Sequence, residues 1–177
     1  MTALTLTLIG RDRPGLVRAL SERVAVVGGN WLESRMARLA GQFAGILLVE
    51  VPEGEVERLI EDLRGLEQEG LHAIVERGAG EEAPAPAHQI LMLELVGQDH
   101  PGIVREIADA LAKRRVNIEE LTTRVVSGSF SGERLFEAEA RLRVPNDVPA
   151  DELRGLLEML ANELMVDIDL EPPPGGA

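Results

Sequence analysis

The chain has 177 residues, a net charge of −13 and no cysteine, so disulfides, thiolate metal sites and a cysteine nucleophile are excluded. The excess of acidic side chains repels a phosphate backbone, and an aromatic content of 2% leaves few rings on which bases can stack. No basic leader opens the sequence and no stretch approaches the ~20 apolar residues of a membrane span, so we expect a cytoplasmic protein that binds neither nucleic acid nor membrane.

The N-terminal half predicts six elements in the order βαββαβ. Leucine and threonine alternate in the first strand, and apolar residues recur at helical spacing in both helices. This order is typical of an α+β, ferredoxin-like module with both helices on one face of a four-stranded antiparallel sheet. The predicted elements are a strand at 2–9, a helix at 14–27, a hairpin of strands 31–40 and 42–51, a helix at 53–69 and a strand at 71–76.

The C-terminal half repeats the first at an offset of 87 residues. Gly10-Arg-Asp-Arg-Pro-Gly15 returns as Gly97-Gln-Asp-His-Pro-Gly102, and the asparagine fifteen residues further on is kept. The later part of the second copy is about ten residues longer, which we place partly in a flexible hairpin tip at 127–132. Its predicted elements are a strand at 89–96, a helix at 101–115, a hairpin at 117–144, a helix at 149–163 and a strand at 164–170.

The repeat predicts two modules, at 1–78 and 88–171. Residues 79–87 are rich in Gly, Ala and Pro and have the composition of a linker, and 172–177 have that of a disordered tail. Each predicted sheet has one bare face and exposed edges. We therefore expect the modules to join side by side or face to face, or the chain to form a homo-oligomer.

The repeated turn between the first strand and the first helix carries the candidate ligand chemistry. Gly10 and Gly97 allow the backbone to approach a ligand or take a positive φ. Gly15 and Gly102 leave the N–H groups at the start of the helix without side-chain cover, and such groups attract a carboxylate. The turn aspartates can receive an ammonium group, and the asparagine amides can serve either group. The candidate ligand-binding residues are Gly10, Asp12, Pro14, Gly15 and Asn30 in the first copy, and Gly97, Asp99, His100, Pro101, Gly102 and Asn117 in the second.

The Gly-x-Asp-x-Pro-Gly turn and the following asparagine resemble the ACT domain family, and the match covers nearly the whole chain twice. The resemblance implies that small ligands, usually amino acids such as glycine, bind at interfaces between modules. Two modules with little else resemble regulators of transcription more than ACT modules attached to enzymes. Because the chain has no helix-turn-helix, such a regulator would act through a protein partner such as a transcription factor.

Other interpretations of the same residues stay open. Asp-x-Pro-Gly is also an ordinary helix entrance in which the carboxylate bonds its own backbone, and each asparagine can simply cap a strand. The chain can then be a ligand-free protein-interaction module, or a regulatory subunit of an amino-acid enzyme whose catalytic part lies on another chain. The acidic pair Glu119-Glu120 is interpreted as solvated charge. We predict no catalytic residue, no metal site and no cofactor.

Overall fold

The structure, a computed structural model, describes residues 1–78, 87–127 and 133–174. The chain forms two compact units, Met1–Ala83 and Pro84–Ala177. Most of the predicted linker, most of the predicted hairpin tip and the last three residues of the tail lie outside the described residues.

The first module has four strands, two α-helices and two short 3-10 turns. The sheet order is β2-β3-β1-β4, with every neighbouring pair antiparallel. The elements are β1 Thr2–Arg11, α1 Leu16–Val26, β2 Asn30–Leu39, β3 Gln42–Val51, a 3-10 turn Glu53–Glu55, α2 Val56–Gly65, a 3-10 turn Leu66–Glu69 and β4 Leu71–Arg77.

The core of the first module lies between one face of this sheet and its two helices. Leu4, Leu6 and Leu8 alternate along β1 with more exposed residues, and they share one buried cluster with Leu20 of α1 and Leu59 of α2. This alternation is what the period of two in the sequence predicts. The opposite face of the sheet, called the open face below, is left without helices.

The second module repeats the arrangement. Its sheet order is β6-β7-β5-β8, again antiparallel throughout, and its separate core includes Leu93, Leu111 and Leu157. The predicted fold class is thereby confirmed for both modules. The elements are β5 His88–Gln98, α3 Ile103–Lys113, β6 Asn117–Ser127, β7 Arg134–Pro145, α4 Ala150–Leu164 and β8 Val166–Glu171.

Two local features differ from the sequence-based expectation. The second helix of the first module is continuous in the prediction, whereas the structure divides it into α2 and the flanking 3-10 turns. The pairing of β2 with β3 shifts between Trp31 and Glu33, and that of β6 with β7 shifts between Ile118 and Glu120. Both bulges follow the asparagine that opens the strand. No helix among the described residues is long and apolar enough to cross a membrane.

Candidate functional site

Each repeated turn delivers the chain into an α-helix through a left-handed glycine. Gly15 caps α1 with a φ of 92°, and Gly102 caps α3 with a φ of 105°. Residues with a Cβ rarely adopt this conformation, which accounts for glycine at both positions. Neither helix has a side-chain hydrogen bond at its N-terminal cap. The backbone N–H groups of the first turn are therefore not covered by a capping side chain.

The turn aspartates pair with arginines of the hairpin. The Asp12 carboxylate lies 2.6 Å from Nε of Arg38, and that of Asp99 lies 3.0 Å from a terminal guanidinium nitrogen of Arg134. Both aspartates remain accessible, with 34% and 23% of their side chains exposed. The structure therefore does not use either side chain to cap the helix. It places an acid and a base together beside an uncapped helix N-terminus, twice.

The sequence analysis missed Arg38 and Arg134. The missing signal is the register of the sheet, because Gly10 lies opposite Phe43, and Phe43 lies opposite Arg38. The aspartate two residues beyond Gly10 therefore falls on the same face as Arg38. The backbone strengthens this link, since Asp12 N–H donates to the Gly41 carbonyl and Asp99 N–H donates to the Arg134 carbonyl, each at 2.9 Å.

The structure requires glycine at the first position of each turn for a different reason from the one predicted. Neither Gly10 nor Gly97 has a positive φ. A Cβ on Gly10 would collide with the Gly70 carbonyl and come within 3.0 Å of the Leu71 Cα, and one on Gly97 would come within 2.8 Å of the Val166 Cα. Residues at the start of the neighbouring strand occupy the position that a Cβ on either glycine would take. The predicted positive φ is wrong at both glycines, whereas their contact with a ligand stays a prediction.

The residue after each aspartate links the turn to the last helical residue before the final strand, which is Glu69 of the 3-10 turn in the first module and Leu164 of α4 in the second. Arg13 donates to the Glu69 carbonyl at 3.1 Å and forms an ion pair with the Glu69 carboxylate at 3.2 Å. At the same position in the second copy, His100 Nε2 lies 3.0 Å from the Leu164 carbonyl. A cation at the C-terminal end of a helix is favourable because carbonyl groups there lack partners within the helix.

His100 therefore helps to position the turn, and its contact with a ligand stays a prediction. Its other ring nitrogen, Nδ1, lies 3.2 Å from the Pro101 carbonyl. Carbonyl oxygens only accept hydrogen bonds, so the doubly protonated ring satisfies both contacts. The hydrogen bond to the Leu164 carbonyl, then the one to Pro101, raises the pKa of His100 above its ordinary value, and the Asp99 charge adds to this shift while burial opposes it.

The prolines lie one step earlier than predicted. We expected them in the first helical turn, but Pro14 and Pro101 precede the capping glycines, and the helices begin at Leu16 and Ile103. Both prolines are exposed. Their fixed φ restricts the chain just before the left-handed glycine, so they shape the turn from outside the helix.

Within a module, each asparagine lies far from the turn. Asn30 opens β2 opposite Glu50, which in turn lies opposite Ala3 at the start of β1. Asp12 lies nine residues further along, roughly 30 Å away at about 3.3 Å per residue of strand. In the second module Asn117 lies opposite Arg143, also at the far end from Asp99. The expectation that turn and asparagine are neighbours in one module is wrong, because β1 and β2 run in the same direction.

The acidic pair Glu119-Glu120 also differs from expectation at its first residue. The Glu119 side chain is only 17% exposed and forms ion pairs with Arg141, at 3.0 Å, and with Arg143. Burial acts to raise the pKa of Glu119, but the hydrogen bonds and charges of the two arginines outweigh it, so the net pKa is lowered. Glu119 thus holds the bulge next to Asn117. Among the described residues, no three His, Asp or Glu side chains converge in a metal-like group.

The fold and the repeated turn define a protein made of tandem ferredoxin-like modules with an acid–base pair at each helix entrance. Residues 2–75 match the family model of the ACT domain. The second module repeats their topology and their turn. The first module is therefore similar to an ACT domain, and the second module has the same strand order.

Similarity to known proteins extends over both modules. A solved structure of a protein of unknown function from Galdieria sulphuraria is 30% identical, covers 96% of this chain and 97% of its own, and has a TM-score of 0.85. A structure provisionally described as a glycine cleavage system transcriptional repressor is 21% identical over 96% of each chain, with a TM-score of 0.69, and shows the shared fold.

A curated relative carries a functional name. The chain is 29% identical over 124 residues to the glycine cleavage system transcriptional repressor of Escherichia coli (strain K12). The alignment covers 68% of this chain and 64% of that relative, so under two thirds of the relative's length is spanned. The chain is similar to this repressor over the aligned region.

Proposed function

We propose that the chain is a regulatory sensor that binds a small amino acid at its repeated turns and has no catalytic activity of its own. The observation that carries this proposal is the pairing of Asp12 with Arg38 and of Asp99 with Arg134 beside an uncapped helix N-terminus. An amino acid is a zwitterion, and these groups match both of its charges.

The assignment of charges follows from the chemistry of each group. The arginine guanidinium and the first-turn N–H groups are donors that suit the ligand's carboxylate, while the aspartate accepts from its ammonium group. The ligand enters by separating the aspartate from the arginine and replacing each partner with its own opposite charge. For a ligand of glycine's size, a limit of about −1.5 kcal/mol per heavy atom gives a Kd no tighter than roughly the micromolar range.

Because the asparagine of a module lies far from that module's own turn, a second module can supply its asparagine to the turn instead. β2 and β6 are edge strands, and each starts at the asparagine and ends at the side of the turn. When two such edges pair antiparallel, the asparagine of one module lies at the turn of the other. This arrangement completes the ligand site at a module interface, so ligand binding strengthens the pairing.

The output of the sensor is a change in association that a protein partner reads. The related repressor acts in transcription by name, and we propose the same field of action for this chain, through a transcription factor or a similar protein. A net charge of −13 disfavours direct contact with DNA. The purified chain alone should therefore fail to retard DNA in a gel at low or high salt, and tight sequence-specific retardation would contradict this part of the proposal.

Isothermal titration calorimetry against glycine and a panel of other amino acids tests the site. Because Asp12 and Asp99 are the proposed anionic acceptors for the ammonium group, the double variant Asp12→Asn/Asp99→Asn should weaken binding at least about tenfold, as expected for loss of a charge-assisted contact. Arg38→Gln/Arg134→Gln should do the same through the carboxylate. Circular dichroism checks that each variant is folded.

Arg58→Gln is the matched control, because it removes one positive charge and an exposed ion pair with Glu55 away from the turns. It should bind like the wild type. If no amino acid binds, sensing is refuted, and if binding survives both double variants the ligand lies elsewhere. Asn30→Ala/Asn117→Ala tests the interface separately: unchanged affinity would remove the asparagines from the site while leaving the turns in it.

A further inference from the structure

We propose that the open face of the first module is a self-association surface on which a second copy of the chain packs face to face with its strands antiparallel. The open face is separate from the turns, and its self-association does not depend on ligand binding.

The centre of this open face is apolar and exposed. Ile46 and Ile74 lie on either side of Thr7, on the two strands that flank β1, and Ile9 lies two residues further along β1. These isoleucines are 54%, 63% and 52% exposed, respectively. Three large apolar side chains on three adjacent strands form one patch rather than scattered surface residues. We call it the isoleucine patch.

The fold itself does not require this patch. In the second module the row equivalent to Ile46, Thr7 and Ile74 consists of Glu139, Glu94 and Asp169, all exposed. Two modules of the same topology thus carry opposite chemistry on the same face. The apolar patch is therefore a property of the first module's sequence.

The charges around the patch select a second copy as the occupant. Glu50 and Glu76 lie toward the start of β1, whereas Arg11 lies at its end. Two further charges on this face, Arg35 and Glu33 of β2, form an ion pair with each other at 3.0 Å, so Arg35 is neutralised where a two-fold axis at its row places it opposite its own copy.

Consider a two-fold axis that runs parallel to the sheet and perpendicular to its strands, at the row of Thr7. This axis places the acidic end of one copy over the basic end of the other. Arg11 then faces the row of Glu50, and Glu76 faces His72. If the strands of the two copies ran parallel, the acidic end that carries Glu50 and Glu76 would lie over the same acidic end of the second copy.

The available area is sufficient for such a dimer. Four strands at about 4.8 Å spacing and roughly 30 Å in length give about 570 Å² per copy, or about 1,100 Å² in total. Specific interfaces begin near about 1,000 Å². Sheets packed face to face lie about 10 Å apart, and the projecting isoleucines fill that gap.

Sedimentation equilibrium of the full chain with matched variants tests the proposal. The wild type should dimerise reversibly, and Ile9→Gln should raise the dimer dissociation constant at least about tenfold, as expected for loss of a central apolar contact. Val96→Gln, the equivalent exposed position on the second module, should leave it unchanged. Arg11→Glu should weaken the dimer about three- to tenfold, and adding Glu50→Arg should restore it.

A crosslinking measurement gives an independent readout of the orientation. The chain has no cysteine, so Thr7→Cys places a single thiol near the proposed two-fold axis, and a short bis-maleimide should join two copies. Glu94→Cys, at the equivalent position of the second module, should not crosslink. A monomer at all concentrations, equal effects of Ile9→Gln and Val96→Gln, or crosslinking of Glu94→Cys alone would overturn the proposal.

Discussion

Arg13 and His100 occupy the same position in the two copies, and each contacts the carbonyl of the last residue in the helical segment that precedes the final strand. Arginine side chains as a class stay charged over the accessible pH range, whereas a histidine changes charge near its ordinary pKa of about 6.5. The second turn is therefore fastened by a pH-dependent contact and the first by a permanent one.

This difference predicts a pH dependence that is specific to the second module. Because the folded state raises the pKa of His100, its contribution to stability is complete below the ordinary value and is lost as the pH rises through the folded pKa. In urea unfolding between pH 5.5 and 8.5, His100→Arg should retain stability at the upper end that the wild type loses. A slope that is identical in the wild type and in His100→Arg would contradict the assignment.

At the scale of residues, the sequence identifies which positions matter at the turn but only part of what each one does. Gly15 and Gly102 adopt the positive φ that was expected of Gly10 and Gly97. Gly10 and Gly97 serve the approach of a neighbouring strand, which is a long-range contact that no local pattern reports. The arginine partners of Asp12 and Asp99 depend on register in the same way, because a shift of one residue would turn them to the open face.

At the scale of elements, periodicity predicts nearly every helix and strand. Alternation over 2–9 locates β1, and helical spacing of apolar residues locates all four helices, because burial of one face decides both patterns. The sequence analysis does not predict the bulges after Asn30 and Asn117, nor the 3-10 turns around α2. These features depend on how neighbouring elements meet rather than on the residues within them.

Helix α4 offers a test of local backbone conformation. Gly155 lies within α4, and a Cβ there meets no atom within 4 Å, so Gly155→Ala should stabilise the protein by about 0.5–1 kcal/mol through helix propensity. Gly15 also has open space around it but has a φ of 92°, so Gly15→Ala should destabilise. Thermal unfolding of both variants distinguishes the effect of available space from the effect of backbone conformation. Equal changes in stability in the two variants would refute this distinction.

At the scale of the whole molecule, duplication kept the fold and the turn while the open faces diverged. The first open face carries isoleucines where the second carries acids. Exposed positions on the open faces can change without disturbing either core, whereas the turn glycines cannot accept a side chain without a clash or a strained φ. The repeat could be read from the sequence, whereas the contrast between the open faces required the strand register.

The two separate cores predict unfolding signals that can be assigned to one module. Trp31 is the only tryptophan of the chain and packs on the first core. Leu59→Ala and Leu157→Ala remove fully buried side chains from the first and second cores, respectively, at a cost of about 2–5 kcal/mol each. Leu59→Ala should shift the tryptophan fluorescence transition, and Leu157→Ala should shift circular dichroism alone. A fluorescence shift of equal size in Leu157→Ala would show that the cores unfold as one.

The placement of turn and asparagine at opposite ends of each sheet has a consequence for counting. In the antiparallel junction proposed above, each module would give its asparagine amide to the other, so completed sites would form two at a time. The number of ligand molecules bound per chain in a titration would then report the number of completed junctions.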